Sequence, residues 1–202
     1  QLFPGAGWSR LSYMKGRLQG SLVLGWTAAC HSGRLELCST AQAAKTQRAH
    51  MQPNSTAWTV GAPSPAKYTD DARDISPPLS WSGVPATAKS LVLIADDPDA
   101  PMGTWVHWVL YDIPAQSPGL PEGADKGQYL AGGAKQGLNS FKHLGYGGPC
   151  PPPGKPHRYF FKLYALDSML DLKPGAGKKE VESAMAKHVM AQGQLMGTYQ
   201  RR

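Results

Sequence analysis

The sequence has no run of the roughly 20 apolar residues that a membrane-spanning helix needs. It also shows no lipid-anchor signal and no basic amphipathic helix, so we expect a soluble protein with at most weak peripheral membrane contact. Cysteine is scarce: Cys30, Cys38 and Cys150 are an odd number without CxxC spacing. This pattern is typical of neither a disulfide framework nor a zinc knuckle, and Cys150 is interpreted as a loop residue rather than a reactive thiol.

A dense basic patch with interleaved aromatic residues, as a nucleic-acid binder carries, is also missing. The net charge is +7, but it is unevenly distributed. Residues 1–53 hold six basic residues and one acid, Glu36, for a net charge of +5. The rest of the chain holds 15 basic and 13 acidic residues, for a net charge of +2. We therefore expect no nucleic-acid partner.

Residues 1–53 differ in composition from the rest and are predicted to be a disordered N-terminal extension, with one domain over residues 54–202. Three interpretations of the extension stay open. It is Arg/Ser-rich and acid-poor, as an organellar transit peptide is. A secretory signal starting at Met14 is the second, although its apolar run is short and interrupted by glycine. The third is upstream sequence, with Met51 as the initiator. The predicted localisation is cytoplasmic, or organellar if the transit peptide is real.

The content of glycine and proline, 23 and 18 residues, indicates a loop-rich β architecture. Apolar and aromatic runs predict strands, because such residues fit the half-buried surface of a sheet. These runs cover residues 58–60, 90–95, 104–113 and 159–166. A long Gly/Pro-rich loop, residues 114–154, separates the last two runs, and loops of this length are usually functional.

One helix is predicted, from Lys178 to Gln192, because its apolar residues recur at the three- and four-residue spacing of one helix face. Gly193 is a plausible stop for this helix. His188 lies on the apolar stripe and is predicted to be a packed, hydrogen-bonded histidine. The fold class is therefore mainly β with a C-terminal helix.

Two segments carry the candidate chemistry. In the first, Asp97 and Asp99 follow an apolar strand and alternate with prolines, which restrict the backbone and so aim the carboxylates. His107 lies in the next apolar strand, where it needs a hydrogen-bond partner. That partner is either a carboxylate or a backbone group, and the sequence alone does not decide between them.

The second segment is the loop of residues 147–156, which leads into His157, Arg158 and Tyr159. Glycine-rich loops can turn successive N–H groups toward an anion, and Gly148 is one of the candidate donors here. Because side chains alternate along a strand, Arg158 should point away from His157 and lie on the outer face, where it could pair with Asp99. Tyr159 either walls the pocket or packs in the core.

Together these segments resemble the phosphatidylethanolamine-binding-protein family, in its bacterial-type, Raf-kinase-inhibitor-like branch. The resemblance runs in order from about Trp58 to Tyr199, and its most specific elements are the DPDAP and HRY motifs. The similar segments are Tyr68-Thr69, Asp74-Ile75-Ser76-Pro77-Pro78-Leu79-Ser80-Trp81, Asp97-Pro98-Asp99-Ala100-Pro101, Trp105-Val106-His107-Trp108, Gly145-Tyr146-Gly147-Gly148-Pro149 and His157-Arg158-Tyr159.

The resemblance implies a sandwich-like domain of a large and a small antiparallel sheet. It also implies a non-catalytic module that binds small phosphorylated or other anionic groups, such as a phosphoethanolamine head group. Regulation of a kinase or a protease, as an unknown protein partner, is a further role that the resemblance suggests. The implied ligand-binding residues are Asp97, Asp99, His107, Gly148, His157 and Tyr159. No catalytic residue, metal or cofactor is expected.

Two alternatives stay open. One is a metal-dependent hydrolase that uses His107, His157 and a carboxylate, although the chain has no HExxH motif and no nucleophile elbow. The other is a protein-interaction scaffold whose pocket stays empty.

Overall fold

The computed structural model describes residues 49–201, which form nine strands, one α-helix and two short 3₁₀ turns. The α-helix is α1, Lys178–Met185. The 3₁₀ turns are Ala66–Tyr68 and Ala131–Gly133. The strands are β1 Ala49–His50, β2 Gln52–Asn54, β3 Leu79–Ser82, β4 Ser90–Asp97, β5 Trp105–Pro114, β6 Gly119–Leu120, β7 Lys135–Gln136, β8 His157–Leu166 and β9 Val189–Tyr199.

The strands make two sheets. The larger sheet has the order β1-β9-β8-β4-β5-β7 and the smaller one the order β2-β3-β6. All neighbouring strands are antiparallel except β1 and β9, which run parallel. The mainly β, two-sheet architecture predicted from the sequence is therefore confirmed.

The central strand β4 explains how the fold positions the site. All eight of its residues are buried, because it lies between β5 and β8 and is covered on both faces. One hydrophobic cluster lies on the face toward the smaller sheet and includes Leu91, Leu93 and Trp81. The other lies under α1 and includes Ile94 and Val181. The end of β4, where the acidic segment begins, is consequently held on both sides.

The first strand lies before residue 54, where the sequence predicts the domain to begin, and the second strand ends at that residue. Met51, between them, is fully buried, and its backbone N–H donates to the carbonyl of Gln192 in β9 at 2.9 Å. Residues 1–48, with the predicted transit or signal features and with Cys30 and Cys38, lie outside the described residues.

Three of the four predicted strands are confirmed: β4 and β8 are each two residues longer than predicted, and β5 is shifted by one residue. The predicted opening strand at residues 58–60 is wrong, because Trp58 to Val60 form no strand. The Trp58 ring is buried instead by packing against Tyr68 and Phe161, with centroid distances of 6.1 and 5.6 Å. Ring burial rather than strand pairing therefore accounts for this apolar segment.

The predicted helix from Lys178 to Gln192 is correct only in its first half. The helix ends at Met185, and the chain turns at residues 186–188 into the 11-residue strand β9. Gly193 is not a helix stop: a Cβ there would lie 2.0 Å from the Met51 carbonyl oxygen, so glycine permits the approach of that backbone. His188 is hydrogen-bonded as predicted, to Asp167 at 2.7 Å, but its side chain is exposed rather than packed.

Candidate functional site

A cavity of about 490 Å³ opens where three loops meet at the edge of the larger sheet. The first loop follows β4, the second precedes β8, and the third contains Phe141. The lining residues are Asp97, Ala100, Pro101, Met102, Trp105, His107, Phe141, Cys150, Pro151, Pro152, His157 and Arg201. The cavity thus combines a few ionisable groups with a largely apolar wall, as small-ligand sites do.

Asp97 and His157 form the buried polar end of this cavity. Asp97 is the last residue of β4, and one carboxylate oxygen, Oδ2, accepts a hydrogen bond from Nδ1 of His157 at 2.7 Å. The other oxygen, Oδ1, accepts from the backbone N–H of Asp99 at 2.8 Å, an Asx turn that closes the Asp-Pro segment. Because both oxygens are engaged, the orientation of the carboxylate is fixed. The carboxylate in turn fixes the orientation of the His157 imidazole.

His107, on β5, is held by the backbone. Its Nδ1 lies 2.7 Å from the carbonyl oxygen of Gly147, and the Gly147 N–H donates to the His107 carbonyl at 2.9 Å. The sequence left a carboxylate and a backbone group open as the partner of His107, and the structure shows the backbone group. The side chain is almost fully buried, and this burial lowers its pKa, although the nearby Asp97 charge acts in the opposite direction.

Tyr159 lies beneath the cavity rather than on its surface. Its ring meets that of His107 edge-on, with centroids 5.2 Å apart. Its hydroxyl is buried and has no hydrogen-bond partner of normal geometry within residues 49–201. Burial, reinforced by the negative charge of Asp97, raises the pKa of this hydroxyl. Tyr159 therefore stays neutral and keeps an O–H next to the Asp97 carboxylate.

Asp99 is turned toward Arg158 and does not line the cavity. Its Oδ2 accepts hydrogen bonds from the backbone N–H and Nε of Arg158 at 3.0 and 2.8 Å, and its Oδ1 accepts from the guanidinium at 2.7 Å. These hydrogen bonds lower the pKa of Asp99 to about 2. The expected outer-face pairing of Arg158 with Asp99 is confirmed, and the role of this pair is to tie the two loops together.

Gly148 lies close behind the site, but its N–H is already engaged. It donates to Oδ1 of Asp74 at 2.6 Å, and a Cβ at this position would lie 2.7 Å from the Tyr68 carbonyl oxygen. The predicted use of this amide as a ligand donor is therefore not what the structure shows. Glycine is needed here because the backbone of residues 68–69 passes so close.

Arg201 also lines the cavity, although no sequence pattern singles it out. Its guanidinium is held by both carboxylate oxygens of Asp71, and one nitrogen lies 3.4 Å from the Sγ of Cys150. Prediction of strand β9 would have located Arg201. Tyr199 of β9 pairs with His157 of β8, so residue 201 must lie beside the His157 loop. A helix prediction over residues 178–192 hid that relationship.

None of the helices in the described part of the chain is long and apolar enough to cross a membrane. Within residues 49–201 no three His, Cys, Asp or Glu side chains are grouped closely enough to hold a metal ion. The predicted alternative with a metal held by His107, His157 and a carboxylate thus has no matching ligand group in this part of the chain.

The fold and the site define a two-sheet β domain with a small His/Asp cavity at one sheet edge. Residues 54–200 match the family model described as phosphatidylethanolamine-binding protein. The chain belongs to this family.

Similar proteins of known sequence or structure agree with this. A UPF0098 protein of Methanothermobacter thermautotrophicus is 56% identical over 137 residues, 68% of this chain and 90% of that protein. The crystal structure of a putative phosphatidylethanolamine-binding protein homologue from Chlamydia trachomatis is similar at a TM-score of 0.70 and 44% identity, covering 76% of this chain and 99% of the other. Escherichia coli YbcL, described as a member of the mammalian family, is similar at a TM-score of 0.71 and 32% identity, covering 76% and 100%.

Proposed function

We propose that this protein is a non-catalytic binding module for small phosphorylated or other anionic groups, such as a phosphoethanolamine head group. The observation that carries the proposal is that His107 and His157 line one cavity, each with its Nδ1 held by a protein acceptor. Both rings are therefore fixed before a ligand arrives, and Nε2 is the nitrogen that each has left for a ligand. Preorganised groups of this kind reduce the ordering cost of binding.

The charges around the cavity support an anionic guest of low charge. A hydrogen bond from an imidazole N–H to an anionic guest is charge-assisted, and such hydrogen bonds are stronger than neutral ones. The Arg201 guanidinium also lines the cavity, and its pairing with Asp71 offsets part of its positive charge. Asp97, also in the cavity wall, repels a guest with two negative charges, so a singly charged or zwitterionic group is favoured.

The side chains of the cavity favour binding over catalysis. The lining has one thiol, Cys150, and no serine. Burial and a hydrogen bond to Asp70 raise the pKa of the Cys150 thiol, which leaves little of the nucleophilic thiolate at neutral pH. Tyr159 is likewise kept protonated. The site thus offers fixed hydrogen-bonding groups without an activated nucleophile.

Calorimetric titration of phosphoethanolamine into the protein tests the proposal, with His157→Ala as the site variant. The matched control is His188→Ala, because His188 makes the same Nδ1 contact with a carboxylate, at 2.7 Å to Asp167, away from the cavity. Loss of one charged hydrogen bond is expected to weaken binding by about tenfold or more in His157→Ala, with the control unchanged. Absent heat, or equal heats for all three proteins, would instead support an interaction scaffold whose cavity stays empty.

A further inference from the structure

The tautomer of His107 is determined by its partner. A carbonyl oxygen can only accept a hydrogen bond, so Nδ1 of His107 must carry the proton that is shared with Gly147 at 2.7 Å. In the neutral ring the other nitrogen, Nε2, then holds a lone pair. Because Nδ1 is engaged by Gly147, Nε2 is the ring nitrogen left for a ligand, and the ring lines the cavity. His107 therefore offers a ligand an acceptor rather than a donor.

His157 obeys the same rule. Its Nδ1 donates to the Asp97 carboxylate, so Nε2 carries a proton only when the ring is an imidazolium. The two histidines consequently differ in what they present. The Nδ1 partner of His157 is a carboxylate, whereas that of His107 is a neutral carbonyl.

The surroundings of His107 maintain this difference. The rings packed against it belong to Phe141 and Tyr159, neither of which is charged. The ionisable groups that act on it are Asp96 and Asp97, from β4. Their negative charges oppose the effect of burial, but burial is the larger influence, and it favours the neutral ring.

We propose that the cavity selects an anion that brings its own proton, namely a phosphate monoester in its singly protonated form, over a sulfate ester of the same shape. The P–OH group of the ligand donates to Nε2 of His107, and an unprotonated oxygen accepts from Nε2 of His157. This inference rests on the proposed function and specifies the ligand for the same site.

A comparison of phosphate and sulfate esters separates the requirement for a negative charge from the requirement for a proton on the ligand. The second ionisation of a phosphate monoester has a pKa of about 6, so the proton is present in part of the population near neutral pH. A sulfate monoester has the same tetrahedral shape and a single negative charge but no ionisable hydrogen. In a cavity that offers an acceptor, the sulfate oxygen faces a lone pair, and the acceptor loses its partner, which costs binding free energy.

The test is a pair of calorimetric titrations on the full chain, with methyl phosphate and methyl sulfate, at about pH 7.5 and about pH 5.5, on either side of the phosphate pKa. Methyl phosphate is expected to bind at least about tenfold more tightly than methyl sulfate at the lower pH, the equivalent of one hydrogen bond to a charged group. The ratio of the two association constants should rise by about tenfold or more as the pH falls, because the singly protonated fraction rises. Methyl sulfate has no proton to gain, so its own pH dependence reports the protein alone.

A second readout is the ³¹P chemical shift of bound methyl phosphate at about pH 7.5, where free methyl phosphate is mostly dianionic. The bound ligand should keep the shift of the singly protonated form. In His107→Gln, whose amide can donate, the preference for phosphate over sulfate should decrease.

The outcomes are distinguishable. Equal affinities for the two esters, or a bound phosphate with the shift of the dianion, overturn the proton requirement but leave anion binding intact. Failure of both esters to bind overturns the anion-binding function itself, and this inference with it. Tighter binding of methyl sulfate would show that the cavity presents donors only.

Discussion

Asp97 at the end of β4 and His157 at the start of β8 are joined by a 2.7 Å hydrogen bond between a carboxylate oxygen and Nδ1. Both side chains are nearly inaccessible to solvent, at 4% and 11% exposure. Because β4 and β8 are neighbours in the sheet, the contact joins residues 60 positions apart without distorting either strand. This pair fixes the polar end of the cavity.

Replacing Asp97 with asparagine tests what the carboxylate contributes. The amide oxygen of the new side chain can still accept from Nδ1 of His157, but this acceptor no longer carries a negative charge. Since charge-assisted hydrogen bonds are roughly twice as strong as neutral ones, we expect phosphoethanolamine to bind about tenfold more weakly by calorimetry. Tighter binding in Asp97→Asn would mean that repulsion by Asp97 outweighs its support of His157.

The buried His107 makes stability depend on pH. Its pKa is lower in the folded protein than the value of about 6.5 for an unfolded chain, so the unfolded state binds the proton more readily. The stability contributed by the neutral ring is therefore complete at higher pH and is lost as the pH falls from about 6.5 toward the folded pKa. Thermal unfolding at a series of pH values should show a smaller loss in His107→Asn than in the wild type. An unchanged or steeper pH dependence in this variant would contradict the assignment.

The Asp99–Arg158 pair is predicted to matter little for ligand binding. The Arg158 side chain is 54% exposed, and exposed ion pairs contribute about 0–1 kcal/mol. Arg158→Gln should lower the free energy of unfolding in urea by less than about 1 kcal/mol and change phosphoethanolamine affinity by less than about threefold. Because the pKa of Asp99 is depressed to about 2, any stability from the pair is present above about pH 4 and is lost as the pH falls toward 2. A loss of affinity as large as that in His157→Ala would place the pair in the binding site.

Gly148 is predicted to be required for packing. A Cβ there would lie 2.7 Å from the Tyr68 carbonyl oxygen and 2.8 Å from the Thr69 Cα, both rigid backbone atoms. Gly148→Ala should therefore lower the free energy of unfolding by about 1–3 kcal/mol in urea titrations. The control is Gly127→Ala, where the nearest atom is a side-chain oxygen of Asp125 at 3.7 Å and the change should stay within about 0.5 kcal/mol. Equal stabilities of the two variants would show that the loop relaxes easily.

The central strands were predictable from the sequence because their signals are local. The apolar run of β4 and the aromatic run of β8 are continuous in sequence, and Pro98 directly after Asp97 marks the strand end. That His107 and His157 share a cavity came from the family resemblance rather than from spacing, since no local pattern relates residues 50 positions apart.

The C-terminal strand was missed because two periodicities overlap. The apolar stripe of α1 continues through Val189 at helical spacing, whereas Gln192 and Gln194 alternate with buried Ala191 and Leu195 at the two-residue period of a strand. Residues 189–199 form a strand because they pair with β8. The roles of Gly148 and Gly193 were equally hidden, since both depend on backbone segments that are distant in sequence.

The most direct test of the account is a titration of the histidine side-chain nitrogens by NMR. The chain has six histidines, and ¹⁵N-histidine labelling with His107→Asn and His157→Ala for assignment resolves the two rings of the cavity. Addition of methyl phosphate is predicted to shift the Nε2 resonances of both His107 and His157 at one shared midpoint, while His188 stays unchanged. Shifts at only one of the two rings, or midpoints that differ, would contradict a single guest held between them.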